Sequence, residues 1–329
     1  MQYSLNEFQQ GIDYKHTGNY IISAQTGAGK TYAAELLMQP ITIIAVPTNA
    51  LLDQHKLTFS NYSTVIVMTY EALLFLARSN TVISYINTLV VDEAHYIGDK
   101  QRGVILEEAI IRLNKKKPIQ TILLSGTLPE APVFGEWLTK LNGLETKVCG
   151  SDWKPHHTAW YVSHYKKSSN YYLNLDTGFH TLKRDLESVY SADKAYLVFV
   201  HDKGYSFNKV REVLATCPGT VWTYHATLSK AERQLVLDSF KPGDVLITTS
   251  ALEVGIDKEF DYGFFVGTES YARGVIDNRT IAQAAGRVGR FDNGTFFIIT
   301  TDKERDFTVI EPVKSQMFER DSLRFVLCS

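Results

Sequence analysis

The most specific chemistry in the sequence lies in eight residues, AQTGAGKT, from Ala24 to Thr31. Within it, Thr26, Gly27, Ala28 and Gly29 make a loop whose glycines let the backbone approach an anion closely. Successive N–H groups can then surround phosphate oxygens at the start of a helix. Lys30 adds a point charge for the outer phosphates, and the Thr31 hydroxyl is a ligand for Mg2+. The strict pattern opens on glycine where this chain has Ala24. A second constellation, LVVDEAH from Leu89 to His95, sets two carboxylates at the C-terminal end of an apolar run. Asp92 suits Mg2+ held through its water shell, and Glu93 suits a water that must be oriented or deprotonated beside a phosphate. A third, QAAGRVGR from Gln283 to Arg290, carries Arg287 and Arg290 three residues apart. That spacing predicts one helical face from which both guanidiniums can point across a cleft.

These groups act together only if regular elements hold them. Short apolar runs alternate with amphipathic stretches, which predicts βα units and a parallel sheet. In the first half, strands are expected near Tyr20 to Ser23, Ile41 to Val46, Thr64 to Met68, Leu89 to Asp92 and Thr121 to Ser125. Helices are expected at Lys30 to Met38, Asn49 to Phe59, Glu71 to Arg78 and Val104 to Asn114, where apolar residues recur at three- and four-residue spacing. The stretch from Asn142 to His157, rich in Gly, Asp, Lys and Pro, reads as a linker. A second alternating run follows. Its expected strands are Ala159 to Ser163, Ala195 to His201, Thr220 to Tyr224, Val245 to Thr248, Gly263 to Val266 and Thr295 to Thr300, with helices at Thr181 to Tyr190, Phe207 to Ala215 and Lys230 to Phe240. The domain reading is therefore 1–150, 151–305 and a short extension over 306–329.

Composition bounds the rest. Hydrophobic residues at 44% and charged residues at 21% are ordinary for folded chains and exclude a disordered or fibrous one. Apolar runs such as Ile43 to Val46 are strand-sized, so no membrane crossing is expected. Cys149, Cys217 and Cys328 are scattered, which predicts no disulfide framework and fits a reducing, cytoplasmic setting. His156 and His157 beside Cys149 lack the spacing of a metal cage. A net charge of −2 gives no global basic field, so any grip on nucleic acid must use amides, hydroxyls and helix ends. Tyr161, Tyr165, Tyr171 and Tyr172 read as core aromatics rather than base-stacking ones.

Taken in order, the motifs resemble those of superfamily 2 helicases of the DEAH or DExH type, over residues 8 to about 290. The resemblance implies two tandem RecA-like domains, each a mainly parallel sheet flanked by helices. It also implies ATP and Mg2+ as cofactors, and single-stranded or partly duplex nucleic acid as partner. SGT, Ser125 to Thr127, resembles the coupling motif, with Ser125 and Thr127 joined in that role by His95. AVPTNAL and MTYEALL resemble the strand-contact motifs, which assigns Pro47, Thr48 and Thr69 to the nucleic acid. Phe8 and Gln9 resemble an adenine-reading pair, with Gln10 as the alternative to Gln9. VFVHD, YHATLS and TTSALEVGID resemble later motifs; they imply that His225 and Thr249 touch the strand and that Gly255 and Asp257 serve the nucleotide. QAAGRVGR resembles the arginine-finger motif, with Gln283 among its catalytic residues.

The activity implied is ATP-driven movement along, or opening of, DNA or RNA, in the 3′ to 5′ direction. A motor of this length suits a virus or phage, acting in the host cytoplasm, or a subunit leaning on a replication, repair or RNA-processing partner. Two rivals remain: a phosphate-loop ATPase that remodels proteins, and a nucleic-acid-binding subunit that does not unwind. The arginine pair within this chain argues against the first, and the complete set Lys30, Asp92, Glu93, Arg287 and Arg290 against the second.

Overall fold

The computed structural model describes residues 4–79, 83–153, 156–202, 204–225, 227–249, 258–270, 274–290 and 292–316. The chain forms two compact units, Met1–Trp153 together with Pro312–Ser329, and Lys154–Glu311.

The first unit opens with a short helix α1 (Glu7–Gln10) and then alternates: β1 (Asn19–Ala24), α2 (Lys30–Leu37), β2 (Thr42–Val46), α3 (Asn49–Thr58), β3 (Val65–Thr69), α4 (Tyr70–Arg78) and β4 (Thr88–Val91). It continues with α5 (Arg102–Lys116), β5 (Gln120–Ser125), α6 (Ala131–Asn142) and β6 (Thr146–Ser151). The sheet order is β3-β2-β4-β5-β1-β6, with parallel pairings throughout. Strand periodicity splits the core into two layers. Ile21, Ile43, Leu89, Val91 and Leu123 face α4, α5 and α6. Tyr20, Ile22, Ile44, Val90 and Ile122 face α1, α2 and α3. Strands buried on both faces need near-continuous apolar runs, which is why β1, β2, β4 and β5 stand out in the sequence.

Strand β6 corrects the linker expected at Asn142 to His157. It pairs with β1 from Asn19↔Thr146 to Ala24↔Ser151 and forms the sheet edge. With half-buried and exposed residues along it, an edge strand needs little hydrophobicity and so resembles a loop in composition. Helix α6, also unexpected, ends at Asn142, where Gly143 takes the left-handed conformation at φ 74°.

The second unit contains β7 (Thr158–His164), α7 (Tyr171–Val189), β8 (Tyr196–Phe199), α8 (Tyr205–Val213), β9 (Val221–Tyr224), α9 (Lys230–Ser239) and β10 (Val245–Thr248). Then come β11 (Tyr262–Val266), a hairpin of β12 (Glu269–Ser270) and β13 (Gly274–Val275), α10 (Asn278–Ala285) and β14 (Gly294–Thr300). The parallel order is β7-β14-β11-β8-β10-β9, again with a core layer on each face. Tyr165 and Tyr171 pack against that core. Tyr161 and Tyr172, expected inside, are instead 55% and 53% exposed.

The stretch read as an extension returns to the first unit. Val313 joins its core, the Ser315 hydroxyl donates to Glu107 Oε2 at 2.6 Å, and the Gln316 amide donates to Glu107 Oε1 at 2.9 Å. No helix among the described residues is long and apolar enough to cross a membrane.

Candidate active site

Adjacency of β4, β5 and β1 aligns the loops that leave their C-terminal ends, the side on which α/β sheets hold ligands. Those loops carry Asp92 with Glu93, Ser125 to Thr127, and Thr26 to Gly29. The end of β1 is tied across to the loop after β5, because the Leu128 amide donates to Ser23 Oγ at 3.0 Å.

The phosphate loop bends where its glycines allow it. Gly27 and Gly29 have φ of 87° and 83°, a region that costs other L-residues roughly 1–2 kcal/mol. Gly29 is further constrained, since a Cβ there would lie 2.3 Å from Gln9 Nε2. Gln9 donates to Gly29 O at 3.1 Å and Asn6 donates to Ala28 O at 3.0 Å, while Asn6 and Gln9 cap each other across α1. Gln9 is thus the glutamine that touches the loop, and Gln10 donates back to Leu5 O. Phe8 is 6% exposed and packed in the core with Ile12, Tyr20 and Ala28. Thr26 is half-buried, Gly27 exposed and Ala28 buried. Gly29 caps α2 without a side-chain acceptor, which leaves the amides of its first turn unclaimed by a capping oxygen. Lys30 Nζ donates to Ala24 O at 2.7 Å and Gln25 O at 3.0 Å, lying over its own loop, with Thr31 beside it in the first turn.

On the loop after β4, both oxygens of Asp92 are held. Oδ1 accepts from the Glu93 amide at 3.0 Å and Oδ2 from His55 Nε2 at 2.8 Å. Burial pushes the Asp92 carboxyl up, but the His55 bond and charge, the Lys30 charge and the Glu93 amide outweigh it and hold it below the ordinary carboxylate range. Glu93 sits at φ 54°, a left-handed turn that a non-glycine residue adopts only when its surroundings enforce it. Tyr70 supplies part of that enforcement: fully buried, it donates its hydroxyl to Asp92 O and to Glu93 O. His95 Nδ1 lies 3.3 Å from Glu93 Oε2 and 3.5 Å from Ser125 Oγ, and Ser125 also donates to Thr127 O at 3.3 Å. His95, Ser125 and Thr127 therefore form one chain of contacts ending on Glu93.

Among the described residues no group of three or more His, Cys, Asp or Glu gathers to hold a metal unaided. That donor set still fits Mg2+, which keeps several waters and takes only one or two protein oxygens alongside substrate phosphates. An ionised, doubly held Asp92 and the Thr31 hydroxyl are groups of that kind.

Thr48, two residues past β2, and Thr69, the last residue of β3, cap the helices that follow, accepting from the Leu51 and Ala72 amides, each at 3.3 Å. Each hydroxyl proton can still be donated elsewhere. Pro47, between β2 and Thr48, is buried.

In the second unit, His225 follows β9 and Thr249 follows β10, which are neighbours, so these two half-buried residues share one edge. His225 Nδ1 lies 2.8 Å from Thr227 Oγ1 and its ring 5.5 Å from that of Phe207. Gln283 lies within α10, but that helix ends at Ala285, so Arg287 and Arg290 do not share a helical face as expected. Gly286 caps α10 after Ala285, and Gly289 turns at φ 68° with an imaginary Cβ only 2.7 Å from Gly294 N. The expected helix is stopped by its own glycines. Gly255 and Asp257 lie outside the described residues.

His55 carries no motif signal, and Tyr70 stands within MTYEALL without being the residue that motif assigns; they meet Asp92 across 37 and 22 positions of sequence. One trace was available: His55 follows Leu51 by one turn on the buried side of α3, a polar residue on an apolar face.

The comparisons with known proteins fall on the same two sheets. Residues 56–133 match the DEAD/DEAH box helicase family, and residues 180–292 match the helicase conserved C-terminal domain. The chain is 33% identical over 158 residues to ATP-dependent RNA helicase mtr4 of Schizosaccharomyces pombe, covering 41% of this chain and 14% of that protein. It is 30% identical over 165 residues to human Exosome RNA helicase MTR4, covering 43% and 16%. Against human Superkiller complex protein 2 it is 30% identical over 188 residues, covering 49% and 15%. The matched stretch thus spans about one seventh of the length of these much longer relatives. With a phosphate loop, the Asp92–Glu93 turn and Ser125 at adjacent strand ends, and helicase families matched on both units, the chain belongs to the superfamily 2 helicases of the DEAH/DExH type.

Proposed function

We propose that the protein is an ATP-hydrolysing motor that moves along or opens RNA in the 3′ to 5′ direction, using Mg2+. The reading rests most heavily on the turn after β4, where Asp92 feels the charge of Lys30 and Glu93 hangs beside it in a strained conformation. Lys30, the amides of the loop and α2, and Gln9 bind the nucleotide. Thr31 and Asp92 hold Mg2+, which would neutralise phosphate charge when bound. Glu93 orients the attacking water and accepts its proton, and His95 and Ser125 relay the state of Glu93 toward Thr127. Arg287 and Arg290 serve the developing phosphate charge, and Gln283 supports them. Thr48, Thr69, His225 and Thr249 donate to strand phosphates. RNA is favoured over DNA because the relatives are named as RNA helicases.

Steady-state ATPase assays with single-stranded RNA and DNA in parallel test this reading. RNA is expected to raise turnover more than DNA does. Lys30→Ala is expected to abolish turnover, and Glu93→Gln to lower it by roughly 10²- to 10⁴-fold while ATP still binds. Turnover indifferent to every nucleic acid tried would sink the motor reading. Unwinding that requires a 5′ rather than a 3′ overhang would reverse the proposed polarity.

A further inference from the structure

We infer that His55 is a positioning residue for Asp92 and thereby sets how tightly the site holds a divalent cation. The inference rests on the nucleotide-site reading above.

A carboxylate only accepts hydrogen bonds, so the proton in the 2.8 Å contact is on His55 Nε2. With Oδ1 taken by the Glu93 amide, the His55 bond fixes the second oxygen and so the plane of the carboxylate. His55 has little other polar business. Its side chain is 7% exposed, and Nδ1 is buried with no hydrogen-bond partner. The ring lies nearly parallel to that of Phe59, at 11° and 6.1 Å between centroids. Phe59 sets its plane, and Asp92 receives its only paired nitrogen. The unpaired Nδ1 offsets part of what the bond to Asp92 contributes to stability. What the imidazole contributes is therefore best sought at Asp92.

The neighbouring charge supplies the reason. Lys30 attracts Asp92. Without the His55 bond, Oδ2 is free to turn toward the Lys30 ammonium, which would draw the carboxylate into an ion pair. His55 keeps that oxygen aimed, and groups that orient a metal's ligands in this way are worth about 10- to 100-fold in metal affinity.

The test is a titration of Mn2+ into the full chain with ADP present, followed by electron paramagnetic resonance of free Mn2+. ADP affinity in the presence of EDTA and thermal melting are measured alongside. His55→Phe keeps the ring stacked on Phe59 but carries no donor, and His55→Gln carries an N–H of similar reach. His55→Phe is expected to weaken Mn2+ by about 10- to 100-fold. Its metal-free ADP affinity should be unchanged, and His55→Gln should restore most of the metal affinity. Wild-type Mn2+ affinity in His55→Phe overturns the inference. So does a loss that accompanies a lower melting temperature and is not rescued by His55→Gln, which would make His55 structural. If the wild-type chain holds no Mn2+ with ADP, the nucleotide-site reading fails as well; intact binding by both wild type and His55→Phe removes this inference alone.

Discussion

Gly27 and Gly29 both take left-handed conformations, yet they answer to different constraints. Around Gly27 a Cβ would meet nothing within 4 Å, whereas at Gly29 it would strike the Gln9 amide. Gly27→Ala should therefore show only the backbone cost, about 1–2 kcal/mol in thermal or denaturant unfolding. Gly29→Ala should also displace Gln9 and lower ADP affinity by at least about tenfold, or roughly 1.4 kcal/mol, in calorimetric titration. Equal effects of the two would show that Gln9 does not brace the loop. Chemistry at this scale was legible where it is local: AQTGAGKT announces itself because its function requires particular residue types in an unbroken run. Asp92 and Glu93 were legible from their place after a strand. The groups that hold them were less so, since His55 and Tyr70 arrive from other helices, far from Asp92 in sequence.

Among the elements, the central strands of both sheets stood out because burial on two faces demands continuous hydrophobicity. Edge strand β6 did not, and helix α10 was expected to run through the arginines because spacing alone does not weigh Gly286 and Gly289. The end of the first sheet opposite the candidate site is specified differently, by polar side chains. Asn142, read from sequence as the start of a linker, is buried and joins three elements. It donates to Asn19 Oδ1 at 3.1 Å and Asn114 Oδ1 at 2.9 Å, and accepts from Asn19 Nδ2 at 3.0 Å. Asn142→Ala leaves those partners buried and short of bonds, at a cost of about 1–3 kcal/mol. Denaturant unfolding should register that loss while ADP affinity stays at the wild-type value. The capping threonines show the opposite economy, since Thr48 and Thr69 fix helices α3 and α4 with their oxygens and keep a proton to donate.

For the molecule as a whole, the two-unit organisation was legible in the repeated βα alternation, and the return of the chain was not, because Pro312 to Gln316 has no hydrophobic period. Its attachment rests on few groups. Gly98 and Gly103 leave room for it, as a Cβ would lie 3.0 Å from Val313 Cγ1 and 3.0 Å from Gln316 Cγ respectively, and Glu107 receives two of its hydrogen bonds. Glu107→Ala should loosen it selectively, speeding hydrogen exchange at the Gln316 amide by at least about tenfold while strands β1 and β5 keep their protection. Unchanged exchange would mean that Val313 alone holds the segment. The same connectivity has a consequence for how the protein is made and broken. The second unit is inserted in the first, so a ribosome delivers the last piece of the first core only after the whole second unit has emerged. That core is completed late, and a single protease cut near residue 153 leaves the two units still joined through residue 312.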